Sequence, residues 1–244
     1  MKGKFKPFST TLIGSLPRSK ELLSLKESSN NYDKFKSLYS EKLLEETQKV
    51  VELQKDCGID VLVSGELNRD NYMSYVAEMV DGIKLLSMND LKEITTNLES
   101  FNKSLEEMDA ADNTMNSPIC YSKIDTTRRL NELEVYNFQK FIDRDYKVTL
   151  PSPYLLTRSM WLREITGKVY EGRKELGHDV VELLKNEIRH LVEEGVKIIQ
   201  IAEPILSEVV FTNEKADNSF YWGALSEKVK VDKELTFARE LLET

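Results

Sequence analysis

Cysteine and histidine are scarce in this chain. Cys57, Cys120, His178 and His190 are the only ones among 244 residues. Two cysteines do not make a disulfide framework. A closed zinc site wants clustered N and S donors, so no metal ligand is assigned in this chain. Both cysteines read as packing residues: Cys57 at a helix end on the core face, Cys120 inside a strand. His178 reads as helix-terminal, and His190 as facing the barrel or solvent. Glycine is thin as well, with 10 residues. Gly14 stands alone and Gly58 precedes its strand, so the Gly-rich strand-to-helix turn of a dinucleotide fold is missing. No apolar run approaches the roughly 18–20 residues that span a bilayer. The N-terminal MKGKFKPFSTTLIGSLPR lacks the apolar stretch of a signal peptide, so the expected compartment is the cytoplasm. Positive charge is in deficit, with 34 Lys and Arg against 42 Asp and Glu, a net charge of −8. Nucleic acids and anionic membranes need a basic face, and neither is an expected partner.

What is present is the composition of a soluble globular protein, 40% hydrophobic and 31% charged. The length suits one domain over residues 1–244. VVELQKDCGIDVLVSGE (Val50 to Glu66) reads as a helix end, a stop at Gly58, a buried strand and a carboxylate where the strand ends. IRHLVEEGVKIIQIAE (Ile188 to Glu203) repeats this grammar, with the Glu again eight positions after the Gly. A continuous apolar run marks a strand buried on both faces, as in parallel sheets. Glu66 and Glu203 are therefore expected on the carboxyl-end rim, where α/β folds bind ligands. The alternative is a shared fold element with two solvated rim acids.

The pattern predicts strands over Thr10–Ile13, Ile59–Ser64, Ile119–Ile124, Tyr146–Leu150 and Val196–Ile201. Helices are expected over Ser40–Cys57, Asn131–Ile142, Tyr154–Ile165 and His178–Glu194. An exposed helix over Asp90–Met108, a loop over Asp109–Asn116 and a mostly helical tail from Asn218 complete the expectation. Strands alternating with helices imply parallel pairing through right-handed crossovers. The fold class is α/β, a (β/α)8 TIM-barrel type, incomplete at about five βα units.

TTLIGSLPR (Thr10 to Arg18), VVELQKDCGIDVLVSGE, PICYSKI (Pro118 to Ile124), TLPSPYLL (Thr149 to Leu156) and GVKIIQIAEP (Gly195 to Pro204) stand in the order of one family. The chain resembles the catalytic barrel of cobalamin-independent methionine synthase, especially its short archaeal-type relatives. The resemblance implies methyl transfer to the thiol of homocysteine, from a methylated folate or a methyl-corrinoid. It implies zinc on the thiol sulfur, which makes the thiolate nucleophile. It implies that Ile13, Gly14, Ser15 and Glu66 hold the amino-acid substrate. The turn would bind the carboxylate and Glu66 the ammonium; Glu203 joins them as the second strand-end acid.

Departures from the family pattern carry information too. The family has Asp-Glu-Pro after the fifth strand, with the Asp on the substrate's amino group; here it is Ala202-Glu203-Pro204. The family's folate-side Arg falls near Asn113, and Trp161 lies about two positions from its folate-stacking Trp. Its zinc ligands, on the sixth strand and beyond, have no counterpart here. Three readings follow. The chain is a homocysteine-type methyltransferase whose missing half-barrel and zinc come from elsewhere, such as a second polypeptide; or a non-catalytic partner subunit or truncated relative; or a methyltransferase of the wider superfamily acting on another thiol. The expected partners are a small thiol or amino-acid substrate and either a complementary half-barrel chain or further copies in a homo-oligomer.

Overall fold

The computed structural model describes residues 5–71, 73–87, 90, 93, 117–206 and 231–244. Most of the expected Asp90–Met108 helix, the Asp109–Asn116 loop and the first part of the tail lie outside them. The chain divides into two compact units, Met1–Asp70, Asn131–Thr149 and His190–Gln200 in the first, and Asn71–Leu130, Leu150–Arg189 and Ile201–Thr244 in the second.

The first unit opens with α1 (Lys20–Asn31) and α2 (Lys36–Asp56). The Ser19 hydroxyl accepts from the Leu22 N–H and starts α1. In α2 Leu43, Thr47, Val51 and Gln54 are buried, one face of a helix at spacings of three and four. Leu43 packs with Leu22 and Leu67. Gly58, at φ 73°, turns the chain after α2, a conformation that glycine adopts without steric cost. Cys57 is exposed rather than on the core face. It is the cap of α2, its N–H bonding Leu53 and Lys55 carbonyls, and lies past the last buried turn.

Strand β1 (Leu62–Val63) follows. Gln54 does the work of a neighbouring strand: its amide donates to the Val63 carbonyl at 2.8 Å and accepts from the Val63 N–H at 2.9 Å. Two buried backbone groups that would otherwise be unsatisfied are thereby paired. The expected first strand reduces to one parallel bridge between Thr11 and Val61. Helix α4 (Glu132–Gln139) leads to β4 (Tyr146–Pro151), all six residues buried. Strands β1 and β4 pair in parallel, with Leu62 opposite Tyr146 and Val63 opposite Lys147. The sheet order is β1–β4–β5, where β5 is Ile198–Ala202.

The second unit contains α3 (Tyr75–Met79), β2 (Ile83–Leu86), β3 (Ser117–Cys120), α5 (Pro153–Met160), α6 (Arg163–Thr166), most of α7 (Arg173–Glu193) and α8 (Val231–Glu243). The third expected strand exists as β3, but it pairs antiparallel with β2 in a separate two-stranded sheet. The all-parallel expectation is corrected there: β2 offers the near partner, and antiparallel pairing satisfies both short strands. The expected helix over Tyr154–Ile165 is broken after Met160. Thr166 takes the Leu162 N–H on its hydroxyl oxygen at 3.0 Å, and that hydroxyl bonds the Cys120 and Met160 carbonyls. A threonine side chain thus competes with the helical ladder. The core of this unit gathers Met73, Tyr154, Leu155, Val181, Ile205, Ala238 and Leu241. His178 lies inside α7 rather than at its end, because α7 begins at Arg173.

Candidate functional site

In the first unit the turn after Leu12 and the turn after β1 are locked together. The Leu16 N–H donates to the Gly65 carbonyl at 2.9 Å. Gly65 has φ 77° and Glu66 φ 54°. Glycine takes that region freely; glutamate rarely does, and residues held there gather at functional sites. The Glu66 turn is secured by the Arg69 N–H on the Glu66 carbonyl at 3.0 Å and the Glu66 N–H on Ser64 Oγ at 3.2 Å. Gly14 is buried against the carboxylate. A methyl at this position would fall 2.5 Å from Glu66 Oε1, so a side chain at residue 14 would push the Glu66 carboxylate out of this position. Ile13 and Ser15, beside it, are exposed.

Glu66 is not the open, unpaired acid of a solvated rim. It is 8% exposed. Its Oε1 accepts from the Thr149 hydroxyl and lies 3.6 Å from Arg69 Nη1. Arg69, 2% exposed, grips Glu134 through Nε at 2.8 Å and Nη2 at 3.0 Å. The strand-end position buries the side chain because the Gly14 turn and β4 close over it.

Lys147 is a further buried cation in this unit. Its Nζ donates to the Leu12 carbonyl at 2.6 Å and to Gln200 Oε1 at 2.7 Å. Burial pulls its ammonium below the usual lysine range, against the nearby Glu66 charge. The Leu12 contact pins the residue that enters the Ile13-Gly14-Ser15 turn. Sequence reasoning missed Lys147, Thr149, Arg69 and Glu134. A signal existed for the first two: they alternate along β4, so one face of a fully buried strand is polar.

Glu203 behaves differently. In the second unit its carboxylate accepts from the Ser152 hydroxyl and from the N–H groups of Leu155 at 3.2 Å, Ile205 at 3.0 Å and Leu206 at 3.3 Å. Burial pushes its carboxyl up, against these donors. The acid caps the first turn of α5, where Ser152 is the N-cap and negative charge is favoured. Its hydrogen-bonding capacity is taken up by the protein's own backbone. Ala202, the last residue of β5, accepts the Ser152 N–H on its carbonyl at 3.0 Å.

The donors for zinc do not come together among the described residues. No group of three His, Cys, Asp or Glu there could hold a metal ion. Both histidines are exposed on α7. The Cys120 thiol donates to the Ser122 carbonyl at 3.0 Å, and burial pushes it up to about 11. A thiol so placed is a poor source of the thiolate that metals bind. We expect the purified chain, after dialysis, to retain far less than one zinc per chain; about one tightly held zinc by metal analysis would contradict this reading of the donors.

No helix among the described residues is long and apolar enough to cross a membrane. Comparison with known proteins places the chain. The model of the cobalamin-independent synthase catalytic domain matches residues 8–236, through both units. A 5-methyltetrahydropteroyltriglutamate–homocysteine methyltransferase of Coxiella burnetii is 26% identical over 203 residues, 82% of this chain and 23% of that protein. The one of Thermodesulfovibrio yellowstonii is 26% identical over 218 residues, 88% of this chain and 26% of the relative. The chain thus spans about a quarter of the length of these relatives. Among solved structures, a putative vitamin-B12-independent methionine synthase from Listeria monocytogenes matches with TM-score 0.63 and 16% identity, over 99% of this chain and 63% of that one. A B12-independent methionine synthase from Shewanella sp., in complex with selenomethionine, matches with TM-score 0.55 and 17% identity, over 83% and 53%. The fold is α/β, of the type these barrel neighbours share. By the match that runs through both of its units, this chain belongs to the family of the cobalamin-independent synthase catalytic domain.

Proposed function

We propose that this chain binds homocysteine and takes part in methyl transfer to its thiol, with Glu66 receiving the substrate ammonium and the Ile13-Gly14-Ser15 turn receiving the carboxylate. The observation that carries the proposal is the seating of the Glu66 carboxylate directly on Gly14. An acid held in a positive-φ turn, with its carboxylate in the space a side chain at residue 14 would fill, is a built receptor for a small cation. The relatives' names supply the donor class, a methylated folate; a methyl-corrinoid is the alternative. Residues 1–244 are, on this reading, one partial (β/α)8-type domain of a cytoplasmic protein. Zinc, which the family uses to make the thiolate, would need donors other than those the described residues bring together. Among the described residues β5 ends the order β1–β4–β5, and an edge strand recruits others, which supports a partner there.

A second reading has its own support. Ala202 stands where the family has an acid for the amino group, and the Glu203 carboxylate is occupied by Ser152 and three backbone donors. A thiol without an amino group would suit such a site. Calorimetric titration with L-homocysteine separates the two. The first reading expects binding by the parent and a loss of about ten- to a hundredfold in Glu66→Gln, the worth of one charge-assisted contact. Unchanged affinity in the variant would remove Glu66 from the site.

A further inference from the structure

A directed chain of hydrogen bonds ends on one of the two carboxylate oxygens of Glu66. The chain begins at Glu134, which accepts from Arg69 Nε at 2.8 Å and Nη2 at 3.0 Å. That bidentate pairing fixes the plane of the guanidinium. Nη2 also donates to the Thr149 carbonyl at 3.1 Å, and Nη1 to Thr149 Oγ1 at 3.1 Å. A guanidinium only donates, so the threonine oxygen must accept from it. The single hydroxyl proton is then directed away from Arg69, and Glu66 Oε1 receives it. The start of the chain is itself closed onto the Glu66 backbone. The Ser64 hydroxyl donates to Glu134 Oε1 at 2.6 Å and accepts the Glu66 N–H at 3.2 Å.

We infer that Thr149, backed by Arg69, is the positioning residue that aims Glu66, holding Oε1 so that Oε2 is the atom presented to a ligand ammonium. The inference rests on the reading of Glu66 as the ammonium receptor. Three contacts crowd Oε1: the Thr149 hydroxyl, the Arg69 Nη1 at 3.6 Å and the α-carbon side of Gly14. A carboxylate fixed through one oxygen offers the other in one direction, with little left to reorganise on binding.

The test compares L-homocysteine with its des-amino analogue 4-sulfanylbutanoate by calorimetry, in the parent and in Glu66→Gln, Thr149→Val and Thr149→Ser. Valine keeps the shape of threonine and removes the hydroxyl; serine keeps the hydroxyl. Thermal melts establish that each variant is folded. Should Thr149→Val melt too low for titration, Thr149→Ala, which leaves room for a water on Arg69, is read in the same way. The parent should prefer L-homocysteine. Thr149→Val should lose about tenfold of that preference, the worth of a hydrogen bond to a charged group, with the des-amino compound bound as before. Thr149→Ser should restore it. A packing role for Thr149 would weaken both compounds alike. If Glu66→Gln abolishes the preference while Thr149→Val keeps it, the positioning role fails and the receptor reading stands. If Glu66→Gln keeps the preference, or the parent binds neither compound, the receptor reading fails and the positioning role falls with it.

Discussion

Replacing Arg69 by methionine is expected to cost the fold about 3–5 kcal/mol. Arg69 holds Glu134 along one edge of its guanidinium and faces Glu66 at 3.6 Å from Nη1, and all three side chains are buried. Methionine fills part of the volume and supplies no charge. Two carboxylates would then lie in a low-dielectric interior without the cation that offsets their desolvation. A domain has roughly 5–15 kcal/mol of stability in total, so the variant should melt far below the parent or fail to accumulate. Urea unfolding of the parent and variant measures the difference. The double variant Arg69→Met/Glu134→Leu should recover much of the loss, because removing both partners of a buried pair is milder than removing one. A cost below about 1 kcal/mol for Arg69→Met alone would show that the buried network is not what holds the Glu66 turn.

The second large effect belongs to the other unit. Glu234, at the start of α8, is buried beneath Arg158 and Arg173. It accepts the Tyr154 hydroxyl at 2.8 Å, while Arg158 Nη1 donates to both Tyr154 Oη at 3.0 Å and Glu234 at 3.3 Å. Glu234→Gln should destabilise the chain by about 3 kcal/mol at neutral pH, since it leaves two guanidinium groups facing each other over a neutral amide. The pH dependence has a definite sign. Burial works to raise the Glu234 carboxyl, but the Arg173 pairing and the other partners hold it below its ordinary 4.5. The unfolded chain therefore takes up this proton before the folded one does. The stabilisation is full above about pH 4.5 and fades as pH falls through the lower folded value. The gap between parent and Glu234→Gln should narrow over that acid window. A gap that stays constant from neutral pH into strong acid would mean the ion pairs contribute nothing there.

The sequence was most informative where chain geometry leaves little choice. Gly58 and Gly195 both adopt positive φ after long helices, and a strand and a glutamate follow each, as the repeat required. What the repeat could not convey is what each acid meets. Glu66 and Glu203 occupy matching places in the pattern, yet one ends on Thr149 and Arg69 and the other on the backbone donors of α5. That difference depends on residues distant in the chain. Arg69 follows β1 in a polar stretch, and an arginine this buried needs carboxylates, yet its partner Glu134 stands 65 positions away. Helix α1 escaped notice because its sequence, KELLSLKESSNN, is polar and carries a weak apolar stripe; its contact with α2 gives it its place. Strand β2 is four residues long in a polar region, and only pairing with β3 marks it as a strand.

The most direct measurement of the central claim is a crystal structure of this chain with L-methionine, the amino acid that keeps the ammonium and carboxylate of the proposed substrate. The account expects the ligand nitrogen within about 2.7–3.2 Å of Glu66 Oε2, with Oε1 still on Thr149 and the ligand carboxylate over the Gly14-Ser15 turn. A ligand whose nitrogen lies elsewhere, with Glu66 engaged only by Thr149 and Arg69, would contradict it.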